Sequence, residues 1–118
     1  MPDKKLIHDF FEAVNARDIE NMEAALHADA TFFFPKTKPL VGRDRILRFF
    51  HILFRQFPEL IFDIQRVIAE GNWVAVHWTN RGTSRKKESY KNEGVTLLET
   101  EGEGIRFMSD FFKNTEKF

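Results

Sequence analysis

Residues 105–112 read IRFMSDFF. Taken with the two-residue period of a strand, Met108, Asp110 and Phe112 share one face, and Ile105, Phe107, Ser109 and Phe111 share the other. The stretch is almost wholly apolar or aromatic, yet it carries a carboxylate. Working back from it, Leu60 to Glu70, Trp73 to Arg81 and Ser89 to Thr100 alternate in the same way, at least in part. The stretches EGN, RGTSRKKE and EGEG separate them as turns. The whole second half therefore reads as strands joined by hairpins.

The first half has a different period. Leu6, Ile7, Phe10, Phe11 and Val14 follow the i, i+3, i+4, i+7 spacing of an amphipathic helix, with Asp3 as its expected N-cap. NARD breaks that pattern, and Ile19 to Leu26 reads as a second helix with Met22, Ala25 and Leu26 inward. ATFFFP reads as a short strand ended by Pro35, and KTKPLVG as a loop. In a strand the rings of Phe32, Phe33 and Phe34 cannot all point to one side, so at least one must face away from the core. Asp44 to Phe57 forms a third helix with the stripe Ile46, Leu47, Phe50, Leu53, Phe54 and Phe57, and Pro58 stops it. Helices followed by a run of hairpin-linked strands predict an α+β fold with a mainly antiparallel sheet.

At 118 residues the chain is long enough for one domain, 1–118, with one core. Hydrophobic residues at 42% and charged residues at 31% fit a globular chain. The 14 phenylalanines call for an aromatic core or an apolar cavity to line. A formal net charge of zero gives no field to attract nucleic acid or an anionic membrane, and does little to oppose self-association. There is no cysteine, which excludes disulfides, thiolate metal sites and cysteine nucleophiles. No run approaches the ~20 apolar residues of a membrane span. The first residues carry no apolar leader, so the expected location is the cytoplasm. No phosphate loop or HExxH motif occurs, and no cofactor or metal is expected. His8, His27 and His51 read as surface or rim positions, and the basic run Arg81, Arg85, Lys86, Lys87 as a solvated hairpin turn.

Three segments, NARDIENMEAALHADATFFFP, VGRDRILRFF and IRFMSDFFKNT, resemble the nuclear transport factor 2-like superfamily. Within it the chain is most similar to the SnoaL-like group, which includes polyketide cyclases and relatives of ketosteroid isomerase. The resemblance covers nearly the whole chain. It implies a cone-shaped α+β barrel: three N-terminal helices packed in a strongly curved, mixed, mainly antiparallel sheet, with an apolar pocket at the open end. It also implies that the faces carrying Asp110 and Trp78 look into that pocket. Met108, Phe112 and Asn80 come with them by alternation, and Val95 and Leu97 are expected to join. Phe10, Val14, Phe34, Phe50 and Phe54 supply the rest of the expected lining. A kink at Gly94 leaves the facing of Tyr90 and Asn92 open, although Tyr90 is counted among the ligand-binding candidates.

Relatives of known chemistry test the enzyme readings residue by residue. Ketosteroid isomerase uses an aspartate base and an oxyanion hole of tyrosine and protonated aspartate. Matching the motifs puts Phe10, Phe34 and Val95 at those places. Phe cannot take a proton and Val cannot donate one, so that mechanism is excluded. SnoaL-like cyclases and limonene-epoxide hydrolases carry an acid/base aspartate on the final strand before an aromatic pair, and Asp110 before Phe111 and Phe112 matches it. The second aspartate and the arginine of the epoxide hydrolases fall near Trp78 and Asn80, so that triad is incomplete. A cyclase needs only one acid/base in an apolar pocket.

Two roles for Asp110 follow. Desolvated by Met108, Phe112 and Trp78, it has a raised pKa and moves protons near neutral pH. Alternatively, it accepts hydrogen bonds and orders the pocket. The protein is accordingly either a small cyclase, isomerase or hydratase acting on an apolar, carbonyl-bearing molecule, or a non-catalytic ligand-binding or dimerisation module. A homodimer through the sheet face carrying Trp73, His77 and Phe107 is expected in either case.

Overall fold

A computed structural model of the chain describes residues 2–116, with side chains from residue 4. Its helices are α1 (Pro2–Ala16), α2 (Ile19–Ala25) and α3 (Arg43–Gln56). Its strands are β1 (Leu26–Phe33), β2 (Leu40–Val41), β3 (Ile61–Glu70), β4 (Trp73–Thr83), β5 (Ser89–Glu101) and β6 (Gly104–Phe112). They form one sheet in the order β2-β1-β6-β5-β4-β3. Only β1 and β6 run parallel. The α+β class and the mixed, mainly antiparallel sheet are as expected, and the sheet is open rather than closed into a barrel.

The helices start and stop for local reasons. Asp3 lies inside α1 rather than capping it. Arg17 takes a left-handed conformation (φ 59°) that turns the chain out of α1. Asp18 then caps α2, its carboxylate accepting from the Asn21 amide at 3.2 Å. The Arg17 guanidinium lies 4.3 Å from the Phe54 ring centre and donates to the carbonyls of Val14, Phe57 and Pro58. One side chain so ties the α1–α2 corner to the end of α3. The second helix ends one residue earlier than its pattern suggests: Leu26 is already the first residue of β1. It pairs with Ile105, which outweighs a helical periodicity extending over only about two turns.

The inner sheet face packs on α1 and α3. Val74, Val76, Trp78 and Asn80 of β4 are buried, and the residues between them are more exposed. Phe32 points inward and stacks on Phe50 at 5.9 Å, while Phe33 turns out, 40% exposed. That resolves the FFF run as alternation requires. Phe50 also meets Phe10 at 6.2 Å and Phe54 at 5.9 Å, edge-on or tilted.

Two facings differ from expectation. Val95 and Leu97 lie on the outer face. In β5 the inward residues are Tyr90, Gly94, Thr96, Leu98 and Thr100. Antiparallel partners share a face, and Gly94 pairs with Trp78 and Thr96 with Asp110. The β4–β5 register runs unbroken from Thr83↔Ser89 to Trp73↔Glu99, so no bulge occurs at Gly94. What Gly94 permits is close approach: a Cβ there would lie 2.5 Å from the Phe111 carbonyl oxygen and 2.6 Å from Phe112 Cβ. Secondly, the register between β5 and β6 slips between Glu99↔Phe107 and Thr100↔Ile105. The extra residue is Arg106, which bulges outward. Ile105 therefore turns inward and is fully buried, although strict alternation sets it opposite Asp110.

The packing of Phe50 has a measurable consequence. Phe50→Ala should cost about 3–5 kcal/mol in urea unfolding. Ile52→Ala, on the exposed side of the same helix (54% exposed), should cost no more than about 0.5 kcal/mol. A loss below about 1 kcal/mol at Phe50, with an unchanged m-value, would mean that its ring is not core.

Candidate functional site

Asp110 lies on the inner face of β6, beside Thr96 of β5. The Thr96 hydroxyl donates to Asp110 Oδ1 at 2.6 Å, and the Trp78 indole Nε1 donates to Thr96 Oγ1 at 2.9 Å. An indole N–H can only donate, so Thr96 accepts from Trp78 and has its single proton free for Asp110. The chain of bonds runs in one direction, Trp78 to Thr96 to Asp110. It occupies Oδ1 as an acceptor. Oδ2 has no hydrogen-bond partner among the described residues and is where a proton would sit.

Among the described residues no cation pairs with the carboxylate. Arg106 is turned out by its bulge and pairs with Glu101 at 3.2 Å. Part of Asp110 stays accessible, but protein atoms crowd its carboxyl group. That desolvation pushes its pKa from 3.8 up to about 7, and the Thr96 hydrogen bond holds it back only in part. The crowding decides the direction here, because a residue's outer surface says little about the hydration of its carboxyl oxygens.

Of the expected lining, the structure gathers Trp78, Met108 and Phe112 around this group, with Phe34 5.4 Å from Phe112 and Trp78 6.2 Å from it. Phe10, Val14 and Phe50 are buried in the helical wall, and Phe54 is half-buried beneath Arg17. Tyr90 is buried on the inner side, its phenol oxygen accepting from Asn92 Nδ2 at 2.8 Å. Asn80 is buried, and its Oδ1 has no hydrogen-bond partner among the described residues. Val95 and Leu97 are not part of the group. Thr96 is, and the sequence reading missed it. Counting by two from Trp78's partner Gly94 reaches Thr96; preferring apolar residues for an apolar pocket reaches Val95 and Leu97 instead.

The interior around Asp110 is filled by rings. The clefts described on this structure are lined elsewhere. One of them, about 140 Å³, lies at the β4–β5 hairpin end and has Phe57 and Tyr90 in its wall, with Arg85 and Lys86. On the outer face His77 meets Glu93 at 2.6 Å, and Lys113 meets the same carboxylate at 2.8 Å. Lys113 first and His77 second hold the Glu93 pKa below its ordinary value. His77 is thus a surface residue, as its strand parity implies. Among the described residues no three His, Asp or Glu side chains are grouped to hold a metal ion.

Residues 7–108 match the model of the SnoaL-like domain family. No curated protein sequence matches the chain. Among solved structures, an NTF2-like protein of unknown function from Burkholderia pseudomallei superposes with a TM-score of 0.91 at 20% identity, over 99% of this chain and 95% of its own. A protein from Jannaschia sp. CCS1 assigned to the SnoaL-like polyketide cyclases gives 0.87 at 18%, over 95% and 85%. TerC, co-crystallised with polyporic acid, gives 0.87 at 19%, over 96% and 92%. At these identities the likeness establishes the fold.

The raised pKa makes stability depend on pH, with a definite sign. Below the ordinary value of 3.8, Asp110 is neutral in both the folded and the unfolded chain. As the pH rises towards about 7, the unfolded chain releases the proton and the fold does not, so stability falls. Above that the loss levels off. Asp110→Asn removes the titration, so its stability relative to the parent should rise from pH 4 to pH 7, reaching roughly 2–4 kcal/mol at pH 8. Thr96→Val should push the Asp110 midpoint higher still, read from the carboxyl carbon by NMR. A midpoint at or below the ordinary value in the parent protein would mean that the group is hydrated.

Proposed function

The chain belongs to the SnoaL-like domain family, and on that premise we propose that it binds an apolar, carbonyl-bearing small molecule and uses Asp110 as its acid/base. The observation that carries this reading is the directed chain Trp78–Thr96–Asp110, which holds one carboxyl oxygen and leaves the other open. Oδ2 takes a proton from the carbon next to the carbonyl; the C–H electrons pass into the enolate, and Asp110 becomes neutral. It then returns the proton to the same or another atom. Isomerisation and aldol-type cyclisation use that exchange; in hydration the same carboxylate would take its proton from the attacking water and return it to the product. A base with a pKa near 7 is matched to it at neutral pH. The surrounding rings exclude water and must part to admit the ligand, for which the cleft beside Phe57 and Tyr90 is the proposed entrance.

A second reading rests on a different observation. Phe10 and Phe34, where ketosteroid isomerase has polar catalytic groups, are buried apolar rings. A scaffold with a single acid/base group also suits binding without turnover. In both readings the outer sheet face serves assembly. Ile68 (62% exposed), Trp73 (41%) and Phe111 (58%) lie on it, and Trp73 packs against Phe107 at 5.7 Å. We assign this face to a second copy of the chain, because a zero net charge does not oppose self-association.

The acid/base reading is tested with 2-tetralone, an apolar ketone with exchangeable protons beside its carbonyl. In D2O the protein should speed deuterium uptake over buffer, with the rate rising through a midpoint near Asp110's pKa. Asp110→Asn should bind the ketone and give only the buffer rate. Binding without exchange in the parent protein would leave the binding-module reading. Assembly is tested separately by sedimentation at micromolar concentration. A dimer is expected, and a clean 14.0 kDa species would exclude it.

A further inference from the structure

Asn80 sits on the inner face of β4, two residues beyond Trp78, and is only 6% exposed. Its Oδ1 accepts from no group among the described residues. An unpaired buried amide oxygen is costly, and folds rarely keep one without a use. Its strand neighbours spend most of their polar groups elsewhere. Phe62, paired with Asn80 across the sheet, exchanges both backbone bonds with Asn15, at 2.9 Å each. Asn92, paired on the other side, gives its amide N–H groups to the Tyr90 phenol and the Asn114 carbonyl. The Asn92 oxygen accepts from the backbone of Glu93 and Asn114. The Trp78 N–H goes to Thr96.

We infer that Asn80 is the second polar anchor of the Asp110 site, accepting a hydrogen bond from a hydroxyl or N–H group at the far end of the ligand. The inference rests on the pocket reading above and narrows its substrate class. The ligand is a rigid, apolar ring compound with a carbonyl at one end and a hydrogen-bond donor at the other. The sheet sets the span. Thr96 pairs with Val76 as well as with Asp110, so Asn80 is four residues along and two strands across from Asp110. Strand rise and spacing put their Cα atoms on the order of 16 Å apart, and side chains converging into the concave interior shorten the gap to roughly 10 Å. A fused-ring ligand bridges that distance; a single small ring does not. The wall between the two ends is Trp78, Gly94 and Phe112, which carries no free polar group and so leaves recognition to the two ends.

The test compares 6-hydroxy-2-tetralone with 6-methoxy-2-tetralone, by calorimetry or by quenching of tryptophan fluorescence. They share the ring and the ketone, and only the first donates at the far end. The parent protein should bind the hydroxy compound about tenfold more tightly. Asn80→Leu should bind both alike. Equal affinities in the parent protein, or a preference that survives in Asn80→Leu, would overturn the assignment. If that variant does not fold, the parent comparison still decides. A hydroxyl preference without deuterium exchange in 2-tetralone would support the Asn80 assignment while removing the acid/base role of Asp110. Failure of all three ketones to bind at millimolar concentration would overturn both.

Discussion

A curved sheet wrapped on helices has one dry face, and every second residue of its strands has to lie on it. That constraint governs most of this molecule. Along β4 it puts Val74, Val76, Trp78 and Asn80 inside and leaves Trp73, Ala75, His77 and Thr79 outside. Across the sheet it lines up Val76, Thr96 and Asp110 in one row, and Trp78, Gly94 and Phe112 in the next. The polar members of these rows are few, so each must find a partner or remain as a liability. Thr96 settles most of the problem, since one hydroxyl serves both an indole donor and a carboxylate acceptor. Without it, Trp78 and Asp110 would each bury an unpaired group.

The same constraint explains what could be read in advance. Segments with a sustained period were legible: α1 and α3 from their apolar stripes, β4 and β6 from alternation, and the outward turn of Phe33 from geometry alone. The sharing of one face by Asp110 and Trp78 was implied by the resemblance to the SnoaL-like group. The misreadings fall where alternation is interrupted or where composition is allowed to overrule it. Arg106 bulges because β5 and β6 slip by one residue near their hairpin, a tertiary adjustment that local sequence does not encode. Val95 and Leu97 look like pocket residues by chemistry, yet their parity with Gly94 puts them outside. The two-residue strand β2 lies in a stretch with no period at all; it exists because β1 offers Thr31 and Phe32 as partners for Val41 and Leu40.

The candidate site was less legible than the fold for a related reason. Asp110 stood out because a carboxylate among phenylalanines is a conflict between residue type and position. Thr96 gave no such signal, since threonine is at home on any strand. Asn80 was placed on the right face, but its isolation emerges only from knowing that Asn15 and Asn92 spend their side-chain amides on backbone groups and on the Tyr90 phenol. Hydrogen-bond satisfaction is a property of the folded neighbourhood, and a list of residues does not reveal it.

The two groups left over, Asp110 Oδ2 and Asn80 Oδ1, argue for use rather than neglect. The fold had cheap alternatives at both places. A leucine at position 80 would fill the same volume without an orphan oxygen, and an asparagine at position 110 would keep the Thr96 bond without a buried charge. Each would favour stability, and each is a single substitution away in chemical type. Local rules are broken most often where a site has to do something that a well-packed core does not. Here the breaches share one dry face, separated by apolar wall, and their requirements differ: one group exchanges a proton and the other only accepts a hydrogen bond. A core tuned for stability alone would keep neither, whereas a pocket that must fix both ends of an apolar molecule and move a proton at one of them needs both.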